Sequence, residues 1–360
     1  MKRFIINTIK FSIPILILVA SVNYLGDAAR LFHNDYEKKI VNILASGKLV
    51  TNISNYDERI LQKEIINFLN PKPDVLVIGS SRTMLIKQAF IPNNKTIYNS
   101  SVSGASIEDL IAIYQMYKEK NSLPSRIIIG IDPWMFNKNN GQTRWKSIEK
   151  EYNAFFEKKI EHQSVSNSLD IRKYKQLLSF SYFQSSLKLM PNLFKRNSSP
   201  IPTDIEENKT LTKLKDGTIK YGNSYRLQSP EQVKRNAIGY KSNKPIYSLG
   251  NYTELSNDSI NKFNSLLKSI KDEGIDVAFF LAPYHSIVYE EIEKSYPKVL
   301  KSEEFIIECA KQNSYPVIGS FDPAKIQIDK LLFYDGMHLK EESVKKMLKD
   351  NQHVQQWLNR

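Results

Sequence analysis

The chain has 360 residues, 25% of them charged, and a formal net charge of +13, which suits attraction to anionic lipid or anionic polymer. Lys and Arg are scattered rather than clustered with aromatic residues, and no helix-turn-helix, zinc-finger or RNA-binding signature occurs, so nucleic acid is not an expected partner. A single Cys309 excludes an internal disulfide framework and a cysteine-based metal site, and with five dispersed histidines neither a metal nor another cofactor is expected.

The beginning is not globular in texture. Lys2, Arg3 and Lys10 flank an almost continuously apolar run that extends through residues 11–25. Counted from Phe4 it is about twenty residues, long enough at about 1.5 Å each to cross a hydrocarbon layer. The basic flank predicts a cytoplasmic N-terminus and an exported remainder. A cleaved signal peptide is the alternative, but no small-x-small site follows Ala20, and Asn23-Tyr24-Leu25 fits one poorly. An uncleaved single-pass anchor over 1–27 is therefore expected, with the rest outside the cytoplasm.

Residues 28–44 and 57–69 have helical apolar spacing and form a stalk or packing segment over 28–72. Pro71 and Pro73 stop the second helix. Asp74-Val-Leu-Val-Ile-Gly-Ser-Ser-Arg82 then carries an unalternating apolar run that ends at Gly79, the pattern of a strand buried on both faces of a parallel sheet. Residues 82–90 have helical spacing, which puts Ser80 and Ser81 at the start of a helix. There a hydroxyl would meet free backbone N–H groups and the positive helix end. One of the two serines is then either a nucleophile or simply a helix cap.

A short strand follows over 95–99, then a small-residue loop over 100–106 and a helix over 107–118. Gly104 in that loop either brings its N–H close to an oxyanion or is an ordinary turn glycine. Arg126-Ile-Ile-Ile-Gly-Ile-Asp132 is a second buried strand that ends at a carboxylate. Strands alternating with helices predict an α/β fold with right-handed crossovers and a parallel sheet. Ligands in such sheets sit beyond the carboxyl ends of the strands, where Ser81, Gly104 and Asp132 all fall.

Residues 137–255 are polar and rich in Lys, Asn, Ser and Tyr. They predict helices over 148–159 and 171–189 and a hairpin over 211–221 turning at Asp216-Gly217. This stretch is an insertion over the active edge, either a lid or polymer-binding surface or a solvated decoration. Residues 261–271 resume a helix ended by Gly274, and 275–281 are another buried strand closing at His285, a pocket candidate or a structural histidine. A helix over 299–312 and a strand over 315–318 follow. Asp335 and His338 then precede a helix over 341–348. Three residues apart, the carboxylate can hold one imidazole nitrogen while the other takes a proton from a serine; a polar surface turn is the alternative.

In order, these blocks resemble the SGNH/GDSL hydrolase superfamily, in particular its membrane-anchored branch that includes the teichoic-acid D-alanylation protein DltD and the alginate acetylation proteins. Gly79-Ser-Ser81 stands where that family has Gly-Asp-Ser. The resemblance therefore implies Ser81 rather than Ser80 as nucleophile, Gly104 as oxyanion donor, His338 as base and Asp335 as its partner. Ser80, Arg82 and Asp132 would border the pocket. It also implies a three-layer sandwich with its core in residues 73–136 and 256–360. The implied activity is O-acyl transfer through an acyl-enzyme to a surface polysaccharide or teichoic acid. A multipass membrane O-acyltransferase of the MBOAT type would supply the acyl group. One block departs: the family's third block is Gly-x-Asn, and this chain has Gly130-Ile-Asp132. A carboxylate cannot donate to an oxyanion unless protonated, which sets transfer, hydrolysis as an extracytoplasmic carbohydrate esterase, and a non-catalytic scaffold against one another.

Overall fold

The computed structural model describes residues 1–27, 35–92, 95–157, 174–193, 199–242 and 246–359. Its strands are β1 (Leu49–Thr51), β2 (Val75–Ile78), β3 (Ile97–Asn99), β4 (Arg126–Gly130), β5 (Ile201–Thr203), β6 (Thr212–Lys213), β7 (Ile219–Lys220), β8 (Asp276–Leu281) and β9 (Val317–Gly319). The α-helices are α1 (Lys2–Gly26), α2 (Asp35–Ala45), α3 (Glu58–Phe68), α4 (Ile107–Glu119), α5 (Glu149–Phe156), α6 (Phe180–Leu193), α7 (Asn223–Arg226), α8 (Pro230–Ser242), α9 (Asn257–Asp272), α10 (Ser286–Ser295), α11 (Pro297–Asn313), α12 (Glu341–Lys349) and α13 (Gln352–Asn359).

Five strands form one sheet in the order β3-β2-β4-β8-β9, with every neighbouring pair parallel. Side chains alternate across it. Leu76, Ile78, Ile127, Ile129, Phe279 and Leu281 pack against α4, α9 and α11 on one face, while Val77, Ile128, Phe280 and Ile318 meet α12 and α13 on the other. Both faces are thus covered, which is why β2 and the Ile127–Ile129 centre of β4 are apolar without alternation. Each fully buried Leu, Ile or Phe contributes about 1.5–3 kcal/mol relative to exposure.

A second sheet, β5-β1-β6-β7, is antiparallel and joins the segment before the core to the insertion. Its strands are short. Tyr36, Ile40, Val41 and Leu44 of α2 share a core with Val50 of β1, Leu61 and Ile65 of α3, and Tyr98 of β3 at the main sheet's edge. Of the two options for residues 28–72, α2 and α3 therefore take the packing one; residues 28–34 lie outside the described residues. The hairpin turn at Asp216-Gly217 docks on β3, where Asn99 N–H donates to the Asp216 carbonyl at 2.8 Å. Gly217 has φ +81, and a Cβ there would collide with the Asn99 carbonyl oxygen.

The expected helix over 82–90 does not form. Residues 81–85 are a turn, and only Gln88–Phe90 makes one 3-10 turn. The cause is local competition: Thr83 N–H and Oγ1 both donate to the Ser80 carbonyl, at 3.1 and 2.8 Å, while Asn99 Nδ2 takes the Thr83 and Ile86 carbonyls. Carbonyls that would carry a helix are already occupied. In the insertion, a 3-10 turn over Arg144–Ile148 precedes α5; of the expected helix over 171–189, residues 171–173 lie outside the described residues, and the rest is broken at Ser179 into a 3-10 turn, Gln176–Leu178, and α6.

Near the N-terminus, Ile6–Gly26 of α1 is long and apolar enough to span a membrane, with a mean hydropathy of 1.7. Most of its side chains are exposed until Val22, Asn23, Gly26 and Asp27, which are buried.

Candidate active site

Gly79 and Gly130 let the ends of β2 and β4 close around Thr83. A Cβ on Gly79 would stand 2.6 Å from Thr83 Oγ1 and 3.0 Å from the Gly130 Cα. Thr83 Oγ1 also lies 2.8 Å from Ser101 Oγ, and Val102 N–H donates to the Gly79 carbonyl at 3.0 Å, which brings the loop after β3 beside the serine turn. Ser80 is fully buried, and its Oγ accepts Arg82 N–H at 3.1 Å. Ser81 is only partly buried. Its Oγ lies 3.0 Å from His338 Nε2.

His338 Nδ1 sits 2.9 Å from Asp335 Oδ2. Because an ionised carboxylate only accepts, Nδ1 carries the proton and Nε2 is left as the acceptor for the Ser81 hydroxyl. Asp335 Oδ1 is pinned by the N–H groups of Met337 and His338, both at 2.8 Å. Burial pushes the Asp335 carboxyl up, but the His338 charge and hydrogen bonds from His338, Tyr225 and Met337 outweigh it and hold the group well below the usual carboxylate range. The carboxylate is thereby kept ionised.

Tyr225 donates to Asp335 Oδ2 at 2.5 Å and Tyr240 does so at 3.4 Å. Tyr221 packs against Tyr225 with the rings tilted at 56° and lies edge-on to His338, with ring centroids 4.8 and 6.4 Å away. All three come from the polar stretch 137–255, whose tyrosine content is visible in the sequence. Nothing in their spacing marks Asp335 as their destination, because the contact spans 110 residues in the case of Tyr225. Burial and the Asp335 charge push the Tyr225 hydroxyl far above its ordinary value, so it remains a donor.

Gly104 adopts φ +55, and a side chain there would run into the Arg144 guanidinium and the Tyr247 hydroxyl. Glu58 accepts Ser103 Oγ at 2.8 Å, and the buried Arg59–Asp109 pair, 2.8 Å apart, holds the rest of the loop, with Arg59 also reaching the Ser103 carbonyl. Among the described residues, neither the Ser81 nor the Gly104 N–H meets a protein acceptor. Arg144 Nη2 reaches the Gly104 carbonyl at 3.4 Å and Tyr247 OH at 2.9 Å, so the insertion puts a cation on the rim.

Asp132 and Arg82 form a buried ion pair, Oδ1 to Nη1 at 2.8 Å, with side chains 3% and 1% exposed. Burial pushes the Asp132 carboxyl up against the opposing Arg82 charge and hydrogen bonds from Ser80 and Arg82. Arg82 goes further: Nε donates to the Met337 carbonyl at 3.2 Å, and Nη2 donates to the Ala282 and Pro283 carbonyls. Its guanidinium stacks 4.1 Å above the Tyr284 ring. One side chain therefore ties the ends of β2, β4 and β8 to the loop that carries His338.

His285 is not brought to the serine. Its Nδ1 accepts Ile287 N–H at 3.2 Å at the start of α10, and its own N–H donates to the Gly336 carbonyl at 3.0 Å. Burial, then the Lys330 charge, push its imidazole down. It props the Asp335–His338 loop from behind and lines a separate cavity of about 500 Å3 with Ser286 and Lys330. Among the described residues no group of three His, Cys, Asp or Glu side chains could hold a metal ion.

No protein-family model matches this chain, and no curated protein matches it.

Proposed function

We propose that the protein is a membrane-anchored serine acyltransferase working outside the cytoplasm, with the three-layer SGNH-like architecture that its motif order resembles. The observation that carries this reading is the relay Ser81–His338–Asp335, with contacts of 3.0 and 2.9 Å at the carboxyl ends of parallel strands. His338 takes the Ser81 proton as Oγ attacks an activated acyl carbonyl. The Ser81 and Gly104 N–H groups stabilise the oxyanion. The leaving group departs with the proton that His338 returns, and an acyl-enzyme remains. A glycan or teichoic-acid hydroxyl, deprotonated by His338, then takes the acyl group. The acyl donor would be handed over by a multipass O-acyltransferase in the same membrane, α1 being the anchor with its basic end in the cytoplasm.

Hydrolysis, the esterase alternative, gains from one observation. Asp132 would repel an oxyanion if it stood alone, but it is neutralised at 2.8 Å by Arg82. Water is then an admissible acceptor. The test is intact-mass analysis of the full chain in detergent with a fluorophosphonate and with 4-nitrophenyl acetate, beside Ser81→Ala and Ser80→Ala. A single adduct lost only in Ser81→Ala supports the nucleophile, and comparing water with added glycan as acceptor separates esterase from transferase. A folded wild-type chain that takes up neither label supports the scaffold reading instead.

A further inference from the structure

We infer that α6 and the turn before it lie in the outer interface of the bilayer that α1 crosses, as a second membrane contact that sets the tilt of the catalytic domain. The inference rests on the anchor reading of α1. Asn23, a polar residue in an apolar helix, donates Nδ2 to the carbonyls of Gln176, Leu177 and Ser179 at 3.0, 2.9 and 3.1 Å. Tyr182 OH donates to Asp27 Oδ1 at 2.8 Å, and Gly26 lies so close to Ser186 that a Cβ would stand 2.6 Å from the Ser186 carbonyl oxygen. These contacts hold residues 176–186 against the last turn of the apolar span. At about 1.5 Å per residue, Ile6–Gly26 covers about 30 Å, the thickness of the hydrocarbon core. The level of Asn23 and Gly26 is therefore the outer boundary of that core.

At about 100° per residue, α6 has three faces. Tyr182 and Ser186 turn to α1 and are buried. Ser181, Gln184 and Ser185 form a polar face. Between the α1-facing and polar faces, Phe180, Phe183 and Leu187 fall within about 60° of one another. Phe180 is 67% and Leu187 49% exposed, Leu178 just before the helix is 59% exposed, and the Phe180 and Phe183 rings stack at 6.0 Å. An apolar stripe left open beside a membrane span, with a serine-rich face next to it, is the pattern of a helix lying in the headgroup boundary. The occupant is lipid because the Asn23 and Gly26 contacts hold the stripe at the level where α1 itself exposes Tyr24 and Leu25.

The test uses the full chain with Cys309→Ala and one new cysteine at a time, labelled with bimane and reconstituted in phosphatidylcholine nanodiscs with or without brominated acyl chains. Leu16→Cys reports on α1, Phe180→Cys and Leu187→Cys on the stripe, and Ser185→Cys on the polar face. The expected result is strong quenching at Leu16 and at least half that quenching at Phe180 and Leu187, with little at Ser185. Quenching at Leu16 but none at Phe180 and Leu187 beyond the Ser185 level overturns the inference and leaves the anchor reading standing. No quenching at Leu16 overturns both.

Discussion

Asp335→Asn is the sharpest perturbation of the site, because the structure dictates how the new amide must sit. Oδ1 accepts the N–H groups of Met337 and His338, both at 2.8 Å. An asparagine flipped the other way would aim its NH2 at those two donors. The amide oxygen is therefore held at the Oδ1 position, and the NH2 occupies the place of Oδ2, where His338 Nδ1–H at 2.9 Å and Tyr225 OH at 2.5 Å both donate. Two donors cannot share a hydrogen bond, and the Oδ1 position offers Nδ1–H only a longer contact of 3.2 Å on an oxygen that already accepts two N–H groups. His338 then moves its proton to Nε2, faces Ser81 with a donor, and can no longer accept the Ser81 proton. The same tautomer change in a Ser-His-Asp triad costs about 10⁴-fold in rate, which is about 5.5 kcal/mol at 1.36 kcal/mol per tenfold. The assay is the second-order rate of fluorophosphonate adduct formation on Ser81, followed by intact mass, with circular dichroism confirming the fold. Labelling of Asp335→Asn within tenfold of wild type would refute the orienting role of Asp335.

Three further predictions follow from neighbouring contacts. Arg82→Met leaves Asp132 buried without its partner, so the denaturant midpoint should fall by the equivalent of about 3–5 kcal/mol, and Arg82→Met/Asp132→Leu should recover much of it; a single-variant loss below about 1 kcal/mol would show that the clasp is dispensable. Gly104→Ala must place a side chain at φ +55 against Arg144 and Tyr247, at a strain of about 1–2 kcal/mol, and should slow Ser81 labelling at least tenfold with the fold retained; unchanged labelling would remove Gly104 from the oxyanion site. Because the folded-state carboxyl of Asp335 is depressed, its contribution to stability is complete above the unfolded value of about 3.9 and is lost as pH falls below it toward the folded value. Asp335→Asn should therefore flatten the stability–pH curve in that acid window, and an unaltered slope would assign the acid sensitivity elsewhere.

The parallel sheet was legible because its strands carry their own signal. Residues 75–78 and 127–129 are apolar at every position, a pattern that burial on both faces explains, and the sheet places them side by side in register. The turn after β2 was not legible. Residues 82–90 have the apolar spacing of a helix, yet the carbonyls of Ser80, Thr83 and Ile86 are taken by Thr83 and by Asn99 from the next strand. Asn99 reaches back across 16 residues to Thr83, farther than any window of periodicity sees. Hydroxyl and amide side chains compete with helix formation only where the fold brings a partner.

The chain's own order of residues determined which groups could carry chemistry: a serine after a strand-ending glycine, an aspartate three residues before a histidine, and an apolar span long enough to cross a bilayer. Each depends on chemistry or on spacing within a few turns, so it can be read locally. Only the tertiary structure decided that Ser81 Oγ faces His338 while Ser80 Oγ is used by the Arg82 N–H, and that Asp132 is neutralised by Arg82. It also decided that tyrosines of the insertion support Asp335 and that α6 rests on α1 rather than over the strand ends. Apart from the local Ser80–Arg82 contact, those outcomes join residues 50 to 257 positions apart. Contacts at that range are set by which surfaces the folded layers bring together, and local sequence carries no record of them.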